Sequence, residues 1–302
     1  MDVIRHTPTR RRIVKALCTL ILIASVTTGC GKNIPTIVTP EQRPRPKVAL
    51  VLSGGASRGF AHVGVIKVLE QNNIPIDIVV GTSAGSLTGA LYAYYDDAGM
   101  LERAARELTV EDIFDFSILS ISVGVVKGNN IVSYVEKTIK VKNIEDLKIP
   151  YAAVAADLNT GEMVVFKSGP VSTAVRASTA IPGIFTPLTL GGRVLVDGGI
   201  VNSMPVDVAR DMGADVIIAV DVTAHTTNYD VKNVVDIIIQ TFNIMGAQTN
   251  KYKYEEADVI IRPDVRGVGI IDFSQKDYLM LQGERAARTA LPLIEEAIEN
   301  AQ

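Results

Sequence analysis

Tryptophan is absent from this 302-residue chain, and it holds only two cysteines, Cys18 and Cys30, and three histidines. Two cysteines, one of them inside an N-terminal segment that reads as removable, leave no disulfide framework and no cysteine-based metal site. No group of ligating side chains stands at metal-binding spacing, so neither a metal nor an organic cofactor is expected. Net charge is only −3. With no large basic region, nucleic-acid binding is not expected. The N-terminal apolar stretch, Ala16 to Val26, is also too short for a comfortable membrane span, which needs about 20 residues.

That stretch has a different use. Arg5, Arg10, Arg11, Arg12 and Lys15 precede it, and Thr27-Thr28-Gly29-Cys30 follows. The arrangement resembles a bacterial lipoprotein signal, with cleavage before Cys30 and lipid attached to its sulfur. Thr27 departs from the leucine usual there, and an uncleaved signal anchor is the alternative. The expected division is a signal peptide over 1–29, lipidated Cys30 with a Pro-rich tether over 30–46, and one alternating α/β domain over 47–302. Pro35, Pro40, Pro44 and Pro46 make the tether semi-extended. Lipid on Cys30 would anchor the protein to a membrane without a transmembrane helix. Gly31, not an acidic residue, follows the cysteine, which favours the outer membrane, facing the periplasm.

From Lys47 onward, abundant Ala, Val, Ile and Gly suit an α/β fold with a mainly parallel, buried sheet. Val48 to Leu52 reads as a buried strand, Phe60 to Gln71 as a helix, and Ile76 to Val80 as a second strand. Two such units in succession imply a parallel pair. Strands are expected at Tyr151–Asp157 and Glu162–Phe166, a hairpin across Gly191-Gly192, and a strand from Asp215 to Val220. Helices are expected over 231–248 and 275–300. The irregular apolar stretch Ile113 to Val126 reads either as a cover over an acyl pocket or as a buried helix and turn.

The chain is organised around Ile78-Val79-Val80-Gly81-Thr82-Ser83-Ala84-Gly85-Ser86-Leu87. An apolar run stops at Gly-x-Ser-x-Gly, and a small-residue helical stretch follows. That pattern describes a sharp strand-to-helix turn with a serine at its tip, flanked by Gly81 and Gly85 where side chains would collide. Ser83 is the candidate nucleophile. Acyl transfer also needs donors for an oxyanion. The loop Ser53-Gly54-Gly55-Ala56-Ser57-Arg58-Gly59, between a strand and a helix, exposes N–H groups with little side-chain cover. It is neither a dinucleotide fingerprint nor a phosphate-binding P-loop, because its spacing fails at Ala56 and Phe60 follows Gly59. Arg58 could bind phosphate or pin the loop through backbone carbonyls, and the whole loop could equally be a structural turn.

A base is harder to assign. His62 reads as a packed or loop-bracing residue. His225 follows a strand, so a Ser83, Asp197, His225 order is formally possible. Asp197 could itself be the base, because it ends an apolar strand and is backed by Gly198 and Gly199, and partial burial would raise its pKa. It could also merely cap that turn.

Gly54-Gly55-Ala56-Ser57-Arg58-Gly59, Gly81-Thr82-Ser83-Ala84-Gly85 and Asp197-Gly198-Gly199, in that order, resemble the three blocks of patatin-like phospholipases. The likeness is closest to bacterial members related to neuropathy target esterase, and it runs from Lys47 to the C-terminus. Asp157–Gly161, Ala180–Phe185, Asn202–Pro205 and the 263–287 segment match less strongly. The resemblance implies a three-layer α/β/α sandwich and hydrolysis of acyl esters in phospholipids or lysophospholipids. It also implies a Ser83–Asp197 dyad without a catalytic histidine, and an oxyanion hole around Gly54, Gly55 and Ala56. The alternative is a non-catalytic lipoprotein that binds a lipid or a partner on the same fold.

Overall fold

The computed structural model describes residues 45–115, 126–223, 234–269 and 271–302. The signal-type segment, Cys30, nearly all of the tether, His225 and residues 116–125 of the apolar stretch lie outside them.

Among the described residues, eight strands form one sheet. β1 (Val48–Leu52) pairs in parallel with β2 (Ile78–Thr82) and, on its other edge, with β7 (Val216–Val220). β3 (Tyr151–Asp157) continues the parallel set beyond β2, and β8 (Val259–Ile261) continues it beyond β7. Every residue of β1 is buried: Val48, Leu50 and Leu52 enter one apolar cluster, while Ala49 and Val51 enter another. An unbroken apolar strand is what a sheet covered on both faces requires. α1 (Phe60–Gln71), α2 (Ala84–Tyr95), α3 (Ala98–Glu107) and α9 (Lys276–Ala301) contribute to the larger cluster. α7 (Val206–Asp211) and the residues just after α8 (Val234–Lys253) pack on the other. The mixed, mainly parallel sheet flanked by helices is the expected architecture. α4 (Val110–Ile113), α5 (Asn129–Thr138) and α6 (Val171–Ser178) complete the helices among the described residues.

The antiparallel part of the sheet positions the site. β4 (Met163–Phe166) lies on one edge of β3. β6 (Arg193–Asp197) lies on the other, the edge already used by β2. β5 (Leu188–Leu190) pairs with β6 through the expected Gly191-Gly192 hairpin, where both glycines have positive φ. β2 accompanies β3 as far as Thr82, opposite Val154, and β6 arrives from the other direction to end at Asp197, opposite Ala155. Two strands therefore meet end to end along β3, and residues 83 and 197 leave the sheet at one point.

α1 and α9 cross with their backbones in contact. A Cβ on Gly64 would fall 1.9 Å from the Met280 carbonyl oxygen, and one on Gly283 would fall 2.0 Å from that of Ala61. Neither neighbour can yield without moving a helix. Gly64→Ala and Gly283→Ala should each lower unfolding free energy by about 1–3 kcal/mol, as overpacking does. Urea denaturation would read this, and an unchanged midpoint for both would show that the helices do not cross this closely.

Candidate active site

At the end of β2 the chain turns sharply, and Ser83 sits at φ 55°, ψ −123°. A non-glycine residue there costs about 1–3 kcal/mol, so the surroundings must hold it. Gly81 and Gly85 make the turn possible: a Cβ on the first would lie 2.3 Å from the Gly85 carbonyl, and on the second 2.1 Å from that of Leu52. The Ser86 N–H (2.9 Å) and hydroxyl (2.6 Å) both donate to the Ser83 carbonyl. The Ser83 N–H donates to Ser178 Oγ (2.9 Å), whose hydroxyl donates in turn to the Val154 carbonyl (2.6 Å). Val154 stands where β2 stops and β6 has not yet begun. Ser178 thus bridges the break in the ladder, a role the sequence did not suggest for a residue near the end of a short helix.

The glycine loop meets this turn from β1. Gly59 packs so closely that its Cβ would lie 2.7 Å from that of Ala84. One expectation needs correction. The Gly54 N–H donates to the Ser203 carbonyl (3.1 Å) and so is not available to an oxyanion. The N–H groups of Gly55 and Ala56 make no hydrogen bond among the described residues, and Ala56 has φ 50°. The available donors are therefore shifted along the loop. Arg58 pins the loop instead of presenting itself to a ligand: its Nε donates to the Val268 carbonyl (3.0 Å), beside a Ser57 hydroxyl bond to the Gly269 carbonyl (2.8 Å). His62 is wholly buried, and its Nε2 donates to the Ser53 carbonyl (2.9 Å). Burial lowers its pKa to about 4, despite the raising effects of that bond and of Asp221. A neutral imidazole bonded to backbone braces the loop, as expected.

Asp197 is fully buried at the end of β6. Oδ1 accepts the Gly199 N–H (2.8 Å), so the turn-capping reading is correct as far as that oxygen goes. Oδ2 is buried with no hydrogen bond among the described residues. Burial raises the pKa to about 7, opposed first by the Ser83 hydroxyl and then by the Gly199 N–H. The serine is thus near enough to favour the carboxylate, though the pair has not closed into a full hydrogen bond, as is common without substrate. Gly198 lets the turn press on β3, since a Cβ there would lie 2.4 Å from the Val154 carbonyl.

Two hollows meet at Ser83. The larger, about 770 Å³ with its open mouth, has walls of apolar side chains including Leu87, Leu91, Leu101, Leu108, Phe185 and Phe273. Ile113 and Phe114 also line it, so the start of the suspected apolar stretch belongs here, while residues 116–125 lie outside the described residues. The smaller, about 340 Å³, lies against Gly54 to Ala56, Ser203 and α8. Sequence reasoning points to the larger only through Ile113 to Val126 and does not identify the smaller. The leucines of α2 and α3 have the same spacing whether they face a solid core or a cavity.

The sequence profile described as "Patatin-like phospholipase" matches residues 50–210. Patatin-like phospholipase domain-containing protein 6 of Homo sapiens is 40% identical over 185 residues, covering 58% of this chain and 13% of that protein. An uncharacterized NTE family protein of Mycobacterium bovis is 40% identical over 179 residues, 58% of this chain and 49% of the relative. One from Mycobacterium tuberculosis is 31% identical over 270 residues, 81% of this chain and 46% of the relative. The chain therefore spans less than half the length of these curated relatives. The crystal structure of VipD from Legionella pneumophila superposes with a TM-score of 0.57 at 15% identity, over 84% of this chain and 67% of that one, which shows a shared fold.

A carboxyl whose folded pKa is raised binds its proton more tightly in the native state than in the unfolded one. Its ionisation therefore removes stability as pH climbs from about 4, the unfolded value, to about 7, and the loss is complete above that. Asp197→Asn should consequently melt several degrees above wild type at pH 8 and near it at pH 4. Equal melting temperatures at pH 8 would show that Asp197 is not held in a desolvated site.

Proposed function

The chain belongs to the patatin-like phospholipase family, and on that premise we propose that it is a serine acyl hydrolase acting on phospholipid or lysophospholipid esters. The observation that carries the reading is the meeting of a strained serine, a buried carboxylate of raised pKa and two backbone N–H groups, unpartnered among the described residues, beside an apolar cavity.

In this reading the acyl chain occupies the apolar cavity and brings the ester carbonyl against Ser83. The Ser83 hydroxyl attacks the carbonyl carbon as its proton passes to Asp197 Oδ2. The N–H groups of Gly55 and Ala56 receive the oxyanion, helped by the positive end of α2. Collapse of the tetrahedral intermediate breaks the bond to the alcohol oxygen, which takes the proton back from Asp197. Water, deprotonated by the same carboxylate, then attacks the acyl carbon; the bond to Ser83 Oγ breaks, Oγ takes the proton back from Asp197, and the fatty acid leaves. A pKa near 7 suits a base that must both take and return a proton around neutral pH.

The same proposal extends to location. A lipid on Cys30, as the pattern of residues 1–30 suggests, would hold the enzyme at the outer membrane beside its substrate. Labelled palmitate should then be incorporated into the wild type and not into Cys30→Ser, and a wild type that takes up no label would contradict lipid anchoring there.

Ser83→Ala and Asp197→Ala should each lower kcat/KM on a medium-chain ester by about a thousandfold or more. Because only the ionised carboxylate accepts the proton, wild-type kcat/KM should fall about tenfold per pH unit below an apparent pKa near 7 and level off above it. An activity that is flat from pH 5 to 8 would rule out Asp197 as the base.

A further inference from the structure

The smaller hollow carries the Gly55 and Ala56 N–H groups on one wall and shares Ser83, Ala56 and Ile181 with the apolar cavity, but its far wall has no role in the chemistry above. Beyond those shared residues the two walls differ in kind. Ser203 and Asn243 line the smaller one and are more than nine-tenths buried, at 3% and 7% exposure. The Asn243 Nδ2 is buried with no hydrogen bond, and the Ser203 hydroxyl has none among the described residues. A buried amide left unpaired is costly, so such a group calls for an explanation, and an incoming ligand is one.

The placement of Asn243 depends on close packing. Gly246, on the next turn of α8, faces Ser203, whose Oγ would lie 3.3 Å from a Cβ at 246. Gly199 lies under the Phe242 ring, only 2.7 Å from where its Cβ would be. Two glycines thus let α8 settle against the Asp197 turn and bring the amide beside the serine. Thr223 adds a hydroxyl that donates to Asp221 (2.6 Å) and accepts from Asn250 Nδ2 (3.5 Å), which leaves one lone pair on its oxygen. Among the described lining residues none is ionisable. Among the described lining residues a phosphate or carboxylate would find no cation, whereas an uncharged group bearing hydroxyls would find both donors and acceptors.

We propose that this pocket is the subsite for the alcohol side of the ester, and that Ser203 and Asn243 read the free hydroxyls of a glycerol moiety. The inference rests on the hydrolase reading. With the carbonyl at Ser83, the acyl chain lies in the apolar cavity and the glycerol in the smaller hollow, against Ser203 and Asn243. A second acyl chain on that glycerol would press hydrocarbon onto groups that need hydrogen bonds, so single-chain esters are the favoured substrates. The hydroxyls could belong to a monoacylglycerol or to the glycerol of a lysophospholipid.

The test compares three esters of one fatty acid, in mixed micelles with the whole protein: a monoacylglycerol, a lysophosphatidylcholine and a p-nitrophenyl ester, which has no glycerol. In Asn243→Leu, kcat/KM for both glycerol esters should fall about tenfold or more beyond any fall for the p-nitrophenyl ester, since a site built to bond hydroxyls loses that discrimination when a partner is removed. Asn243→Gln, which keeps an amide, should recover part of the difference, and Ser203→Ala should shift the ratio in the same direction as Asn243→Leu. Parallel falls on all three esters, or no change on any, would overturn the proposal. A selective fall on the lysophospholipid alone would overturn it in favour of headgroup recognition. Fluorophosphonate labelling of Ser83 needs no glycerol and separates the two levels. Labelling with an unmoved ratio refutes the subsite alone, whereas no labelling of folded wild type refutes the hydrolase reading beneath it. Should Asn243→Leu fail to fold, Asn243→Ala and Ser203→Ala carry the same ratio test.

Discussion

The site depends on one interruption in hydrogen bonding along β3. β2 and β6 approach from opposite ends and stop opposite Val154 and Ala155, leaving the Val154 carbonyl without a strand partner. The Ser178 hydroxyl fills that place, donating to Val154 and accepting from Ser83. A buried carbonyl is thereby satisfied, and the strained serine is tied to the sheet through its own backbone. The glycines at 81, 85 and 198 follow from the same geometry, since each stands where a side chain would strike backbone next to the break. The serine and the carboxylate come together because two strands end there.

What is gathered at this point is costly to fold. Ser83 holds an unfavourable backbone conformation, and among the described residues Asp197 is buried with no cation to stabilise its charge and two loop N–H groups have no partner. The remainder of the molecule compensates through a sheet buried on both faces and helices packed backbone to backbone. Arg58 and His62 belong to this support. Each is buried near the loop and bonds to backbone carbonyls that fix its course. Such side chains look chemical in a sequence but act here by holding shape.

The legible part of the fold was local. An apolar run ending in Gly-x-Ser-x-Gly specifies a strand, a tight turn and a helix within a few residues, and the structure follows it through Tyr95. The helix from Phe60 to Gln71 was equally plain from its periodicity. Whatever depended on distant partners was hidden. Gly54 was read as an oxyanion donor, but its N–H is taken by Ser203, much later in the chain. Ser178 and Asn243 carried no signal of their own, because a serine in α6 or an asparagine in α8 gains meaning only from what the fold sets against it. Asp197 is instructive in another way: capping and serving as a base are alternatives in the sequence, yet only Oδ1 takes the capping bond, and Oδ2 is left without one among the described residues.

The central claim is that Ser83 is activated by Asp197 without help from a histidine. It is tested most directly by locating a fluorophosphonate adduct by mass spectrometry in wild type, Asp197→Ala and His225→Ala. The account predicts labelling at Ser83 in the wild type and in His225→Ala, and its loss in folded Asp197→Ala. Labelling that survives without Asp197, or disappears with His225, would contradict it.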